Sequence, residues 1–253
     1  MCQMTAPNAK ARLFVTEDLA TGSRIQPKRE QQHYLLNVMR CRDGDRVLIF
    51  NGRDGEWMAE VRREGGRACA LEVKRETRAQ AAGPDLWLLF APVRKARLDF
   101  IAQKASEMGC SRIWPVRTDH CQVSRVNDDR MLANAIEAAE QTERLDIAEI
   151  MPFDDLAMAL DACGPDRHVI FCDEASAGQA ELNAIRVLTD AAPIQRAAVL
   201  IGPEGGFSEA ERVMISARQN SLKLSLGPRI LRADTAAIAA LACFQSVCGD
   251  WVR

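Results

Sequence analysis

Residues 197–211, Ala197-Ala-Val-Leu-Ile-Gly-Pro-Glu-Gly-Gly-Phe-Ser-Glu-Ala-Glu211, decide the fold. Five apolar residues end at Gly202-Pro203, and a loop with three glycines within five positions follows. Ser208 and Glu211 then form an S-x-x-E capping box that opens a helix. A buried strand that turns directly into a capped helix is the repeating unit of a parallel α/β sheet. The glycines let backbone amides approach a ligand with no side chain between them. The loop is nevertheless a poor phosphate cradle, because the capping box satisfies the helix donors and Glu204 and Glu209 repel an anion. It matches neither the Walker pattern nor GxGxxG.

A second strand end of the same kind lies at Leu224-Ser-Leu-Gly-Pro-Arg-Ile-Leu-Arg-Ala-Asp-Thr-Ala-Ala237. Gly227-Pro228 stops the strand, Arg229 and Arg232 follow, and an Ala-rich helix is expected from about Thr235 to Val247, capped by Asp234. One such loop is an ordinary tight connection. Two Gly-Pro strand ends with charged residues inside the loops point to a binding site, since ligands of parallel sheets gather at the carboxyl ends of strands.

The flanking sequence supports the α/β reading. Apolar runs occur at Leu86-Trp-Leu-Leu-Phe-Ala91, Arg112-Ile-Trp-Pro-Val116, His168-Val-Ile-Phe-Cys172 and Leu222-Lys-Leu-Ser-Leu226. Helical spacing carries Leu98, Ile101, Ala105 and Met108 to a stop at Gly109, and Met131, Leu132, Ala135, Ile136 and Ala139 after a cap at Asp128 or Asp129. From Arg12 to Lys74 the pattern changes. Arg46-Val-Leu-Ile-Phe50 and Glu56-Trp-Met-Ala-Glu-Val61 flank the turn Asn51-Gly-Arg-Asp-Gly55, and Cys69-Ala-Leu-Glu-Val-Lys74 follows Gly65-Gly66. A small antiparallel barrel is expected there. The expected division is a barrel over 1–75, a linker over 76–84 ending in Gly-Pro, and an α/β domain over 85–253.

Composition excludes other classes. Of 253 residues, 47% are apolar and 27% charged, too apolar for disorder. No apolar run is read as reaching the roughly 18–20 residues of a membrane span, and Met1–Arg12 lacks a signal-peptide core. Nine cysteines without a CxxC pair and three separated histidines imply reduced cytosolic thiols and no metal site. The net charge of -2 hides a split: residues 1–80 carry 15 Lys+Arg and 11 Asp+Glu, net +4, and the remainder carries 18 and 24, net -6.

The two loops, IGPEGGFSEAE and LSLGPRILRADTAA in that order and spacing, resemble the knot loops of SPOUT-type methyltransferases. The closest match is the RsmE family, the bacterial 16S rRNA (uracil-N3)-methyltransferases. The resemblance extends over nearly the whole chain. Arg12-Leu-Phe-Val15 and His33-Tyr-Leu-Leu-Asn-Val-Met-Arg40 resemble that family's PUA-like RNA-binding domain. Lys95 to Gly109 resembles its first long helix, and Glu137-Ala-Ala-Glu-Gln-Thr142 its central Glu-Gln segment.

The resemblance implies a deep trefoil knot, S-adenosylmethionine as cofactor and a homodimer acting in the cytoplasm on 16S rRNA, within the 30S subunit. Carried over by position, Leu200, Gly202, Gly206, Leu226, Gly227, Leu231 and Thr235 would line the cofactor pocket. Arg229 and Arg232 would hold an RNA phosphate or polarise a uracil carbonyl, and Glu140 and Glu204 would orient the base or assist loss of its N3 proton. Arg12, Arg24, Lys28, Arg29 and Arg40, with Arg42 and Arg46, would contact RNA. The chain departs from the family at Ala233-Asp234 (commonly Thr-Glu), Thr142-Glu-Arg144 (Ser-Gly-Arg) and His120-Cys121 (Arg-Ser). The last change weakens an RNA contact there, which Arg117 or Arg125 could replace. The alternatives are a related knotted enzyme acting on ribose 2′-OH or tRNA, and a non-catalytic RNA-binding assembly factor.

Overall fold

A computed structural model describes residues 9–65, 68–93 and 95–252; Met1–Asn8, Gly66, Arg67, Arg94 and Arg253, including part of the polar terminus and of the Gly65-Gly66 turn, lie outside the described residues. Two compact units are present: the chain to Ala82 with Ala139–Ile147, and Gly83–Ala138 with Ala148 onward.

The first unit contains β1 (Arg12–Phe14), β2 (Arg24–Ile25), helix α1 (Arg29–His33), which runs into a π-helical turn over Tyr34–Val38, then β3 (Arg46–Phe50), β4 (Glu56–Arg63) and β5 (Cys69–Arg78). Sheet order is β1-β3-β4-β5-β2. The expected hairpin β3–β4 pairs antiparallel, Val47 opposite Ala59. The sheet is not wholly antiparallel, however: β1 pairs β3 in parallel, Leu13 opposite Ile49. The intervening β2, α1 and π turn supply the long crossover that a parallel pair requires. Alternate residues Val47, Ile49, Ala59, Val61, Leu71 and Val73 fill the core beneath Leu13, Ile25 and Leu35. Strand β5 runs to Arg78, so it occupies the first residues of the expected linker.

Within this unit Ala139–Ile147 is held by side chains far away in sequence. Arg12 donates from Nη1 to the Ala139 carbonyl at 2.8 Å and from Nη2 to the Arg144 carbonyl at 2.5 Å. Its Nε pairs with Glu56 at 2.7 Å, and Glu56 also receives Arg78 Nη2 at 2.7 Å. Arg78 in turn donates to the Glu143 carbonyl at 2.9 Å. Glu143 has φ +60°, the left-handed region that glycine occupies without strain.

The second unit contains β6 (Asp85–Phe90), α2 (Lys95–Glu107), β7 (Arg112–Arg117), α3 (Asp128–Gln141, whose last turn groups with the first unit), β8 (Glu149–Ile150), β9 (Asp154–Asp155), α4 (Leu156–Cys163), β10 (His168–Cys172), α5 (Ala184–Ala191), β11 (Arg196–Ile201), α6 (Glu209–Ser216), β12 (Ser221–Leu224) and α7 (Ala233–Val247). The strands form an entirely parallel sheet in the order β12-β10-β11-β6-β7-β8, with β9 on β7. Both faces are covered, which is why the strands read as continuous apolar runs. Leu86, Leu88, Phe90, Ile170, Val199 and Ile201 face Leu98, Ile101, Leu188, Leu241 and Phe244 on one side. Trp87, Leu89, Phe171, Ala198 and Leu200 face Leu156, Leu160, Phe207 and Ile215 on the other.

Three element ends differ from the sequence reading. Asn127, not Asp128 or Asp129, caps α3: its side-chain oxygen accepts from Arg130 N at 2.9 Å. Helix α7 begins at Ala233, after Arg232 rather than after Asp234. Strand β12 ends at Leu224, because Ser225 leaves it to accept from Ala184 N at 3.2 Å and to donate its own N–H to the Leu182 carbonyl at 2.7 Å. Contrary to the expectation, one stretch among the described residues, Ala233–Val252, is long and apolar enough to cross a membrane by length and composition. Its residues Ala237, Ala240, Leu241 and Phe244 are instead packed into the sheet core. The eight described cysteines are free, and no metal-ligating cluster occurs among the described residues.

Candidate functional site

The carboxyl ends of the adjacent strands β10, β11 and β12 release the loops 173–177, 202–207 and 225–232. A cavity of about 290 Å³ lies among them. Ile201, Leu224, Leu226, Leu231 and Ala236 supply apolar wall, Asp173, Glu174 and Glu204 supply carboxylates, and Arg229 and Arg232 supply cations.

The loops are braced by buried polar contacts. Asp173 has no exposed side-chain surface and pairs with Arg212 Nε at 3.1 Å and Lys223 Nζ at 3.0 Å. Burial alone would raise its pKa, but the bonds from Arg212 and Lys223 outweigh that and hold the carboxyl below its usual range. The pair ties α6 and β12 to the loop after β10. The predicted capping box is present: Ser208 N donates to Glu211 at 2.8 Å and Glu211 N to Ser208 Oγ at 3.3 Å. Glu211 also accepts from Asp119 N at 2.8 Å, and Ser208 Oγ donates to the Asp119 carboxylate at 2.6 Å. His120 Nδ1 lies 3.0 Å from the carbonyls of Gly205 and Gly206. Carbonyls only accept, so Nδ1 carries the proton. The segment after β7 thus holds the glycine loop, with His120 as a brace. Of its suggested substitutes, Arg117 pairs with Asp155 at 3.2 Å, and Arg125 lines a separate cavity with Asp99 and Asp128.

The glycines are required sterically. Gly206 has φ +69° and Gly227 φ +104°, and a Cβ on Gly206 would overlap the Glu174 carboxylate. A Cβ on Gly202 would sit 2.9 Å from Cε2 and 3.1 Å from Cζ of Phe207, a core ring that is only 2% exposed. Gly202→Ala is therefore expected to cost about 1–3 kcal/mol by overpacking. Urea unfolding checks this; an unshifted midpoint would show that the ring yields freely.

Of the residues singled out in the sequence, Gly202, Glu204, Gly206, Leu226, Gly227, Arg229, Leu231 and Arg232 line this cavity. Leu200 does not: it points to the opposite face, into the layer around Trp87 and Phe207, while Ile201 reaches the cavity. Thr235 is turned outward, and Ala233 and Ala236, three residues apart on one helical face, line the wall instead. Glu140 is not in the lining; its carboxylate accepts from Phe14 N at 2.8 Å in the first unit. Glu204 pairs with Arg97, which also approaches Asp234 at 3.8 Å. Sequence reading missed Cys172, Asp173 and Glu174, although acidic residues directly after an apolar strand run were the available signal. Desolvation pushes the Cys172 thiol up to about 12, away from the thiolate form in which a cysteine attacks.

Among the expected RNA contacts, Arg12 is excluded. Its side chain is 9% exposed, bonded as described above and stacked 3.9 Å from the Phe50 ring. Burial lowers its pKa and the Glu56 contact opposes that. Arg24 is exposed but pairs with Glu64. Lys28, Arg29, Arg40, Arg42 and Arg46 are exposed on the first unit.

Comparison with known proteins agrees with both units. Residues 81–245 match the family described as RNA methyltransferase domain, and residues 27–74 the RNA methyltransferase PUA domain. The chain is 30% identical over 233 residues to ribosomal RNA small subunit methyltransferase E of Rickettsia conorii, covering 91% of this chain and 93% of that protein. A Legionella pneumophila structure, described as a methyltransferase with bound SAM, superposes with a TM-score of 0.80 at 26% identity, covering 95% of this chain and 98% of that one. The same fold occurs in ribosomal RNA small subunit methyltransferase E of Neisseria gonorrhoeae, with a TM-score of 0.81 at 24% identity over 95% of this chain and 99% of that one.

Proposed function

Because this chain belongs to the RNA methyltransferase family that includes ribosomal RNA small subunit methyltransferase E, we propose that it methylates N3 of a uridine in 16S rRNA with S-adenosylmethionine as donor. The observation that carries the reading is the glycine-lined cavity at the ends of β10, β11 and β12, with two cations and no phosphate cradle. S-adenosylmethionine supplies an activated methyl on a sulfonium and carries no phosphate, so such a cavity suits it. Bare backbone at Gly227, where nothing lies within 4 Å of the volume a Cβ would fill, gives the close approach that an adenine and ribose need, and Ile201, Leu224, Leu226 and Leu231 give it apolar walls.

The residues of this chain then have separate tasks. Arg229 and Arg232 are exposed on the cavity lining and have no ion pair among the described residues. They bind an RNA phosphate or face uracil O2 and O4, lowering the cost of the anion that develops when the weakly acidic N3–H is lost. Glu204 carries a counter-ion in Arg97 and orients rather than abstracts. Glu140 is engaged by backbone in the first unit and is not needed for proton transfer. Positioning supplies most of the remaining acceleration. Lys28, Arg29, Arg40 and Arg46 on the PUA-type unit contribute phosphate contacts. The proposal includes a SPOUT-type trefoil knot in the second unit, a homodimer, a cytoplasmic location and the 30S subunit as the substrate particle.

The test is methyl transfer to 30S particles that lack the modification, with the product base identified by mass spectrometry. N3-methyluridine in 16S rRNA is the expected product; ribose methylation, or transfer to tRNA alone, would overturn the proposal.

A further inference from the structure

We infer that the Glu174 carboxylate binds the cationic methionyl end of S-adenosylmethionine, an assignment that rests on the cofactor reading above. Three carboxylates line the cavity, and two are already neutralised. Asp173 is held by Arg212 and Lys223, and Glu204 by Arg97. Glu174 makes no ion pair and no side-chain hydrogen bond among the described residues. Arg212 feels its charge, but that guanidinium is committed to Asp173 at 3.1 and 3.3 Å.

The placement of Glu174 is specific. It begins the short 3₁₀ turn Glu174–Ser176, fixed by Ala175 N donating to the Asp173 carboxylate at 3.3 Å. From there its Oε1 reaches over Gly206, into the volume that a Cβ would fill. The uncompensated anion of the lining is thereby brought onto the bare glycine loop. Arg229 and Arg232, the cations on the same lining, repel a second cation. A ligand with positive charge is thus directed to the Glu174 side. S-adenosylmethionine has two such centres, the sulfonium and the α-ammonium, and either gives a charge-assisted contact with a carboxylate.

Calorimetric titration of wild type and Glu174→Gln with three ligands tests this. S-adenosylmethionine carries both cationic centres, S-adenosylhomocysteine only the ammonium, and 5′-methylthioadenosine neither. Glu174→Gln is expected to weaken S-adenosylmethionine by about tenfold, the lower end for a charged hydrogen bond because the group is exposed. 5′-Methylthioadenosine should bind both proteins equally, which also shows that the variant is folded, and Glu174→Asp should recover part of the loss. A loss confined to S-adenosylmethionine places the carboxylate on the sulfonium; an equal loss for S-adenosylhomocysteine places it on the ammonium. Unchanged S-adenosylmethionine affinity in Glu174→Gln, or an equal loss for 5′-methylthioadenosine, overturns the inference and leaves the cofactor reading intact. If wild type itself binds no S-adenosylmethionine, the cofactor reading falls and this assignment with it.

Discussion

Glu56→Ala is expected to destabilise the first unit by about 3–5 kcal/mol, the cost of leaving a buried charge without its partner. Glu56 is 5% exposed at its side chain and receives two guanidinium groups, Arg12 at 9% and Arg78 at 19% exposure. Without it, Arg12 remains against the Phe50 ring with only the carbonyls of Ala139 and Arg144 to solvate it. The loss is a large fraction of the roughly 5–15 kcal/mol that holds a domain folded. Urea unfolding followed on the first unit measures it, and a change below about 1 kcal/mol would mean that the pair behaves like a surface ion pair. The same site sets an acid limit. Burial raises the Glu56 pKa, but bonds from Arg78 and Arg12 more than offset it, so the folded value lies below the usual 4.5. Asp173 likewise lies below its usual 3.8. Groups depressed in the folded state contribute fully above their unfolded pKa and lose that contribution as pH falls through the folded value. Stability should therefore decline as pH drops below about 4.5, and the decline should be shallower in Glu56→Gln, which does not titrate.

Arg232→Ala is expected to lower the methyl-transfer kcat by about 100- to 1,000-fold, the usual cost of removing one donor aimed at developing charge. S-adenosylmethionine affinity should stay within about twofold, and so should stability, because exposed side chains outside ion pairs contribute little to folding. Arg232 is exposed, lines the cavity and directly precedes α7 without capping it through its side chain. Arg232→Lys should recover only part of the rate, since an ammonium cannot make the paired contacts of a guanidinium. Single-turnover rates with saturating RNA check this, alongside cofactor titration. Unchanged turnover would remove Arg232 from the mechanism, and a parallel loss of cofactor affinity would assign it to the cofactor instead.

What could be read from the amino-acid order was local. The continuous apolar runs at 86–91, 168–172 and 197–201 gave three parallel strands to within a residue at each end, and the Ser208–Glu211 spacing gave a cap that the structure contains. The glycines of the 202–207 loop could be read as marking a strand end that opens a cavity, and Gly202 and Gly206 line one. Three matters were out of reach. That β10 lies between β11 and β12, bringing Asp173 and Glu174 to the glycine loop, is a pairing between segments some 30 to 50 positions apart. Which alternate residue of a doubly buried strand reaches the cavity, Ile201 rather than Leu200, depends on which face the neighbouring helices cover. The fate of Arg12 is the clearest case. As one of several arginines in a net-positive stretch it reads as a polyanion contact. Only the folded chain, which brings Glu56, Ala139 and Arg144 to it, turns that charge inward. Conformational preference and capping act within a few residues and are written in sequence, whereas desolvation and charge pairing depend on what the tertiary structure places alongside.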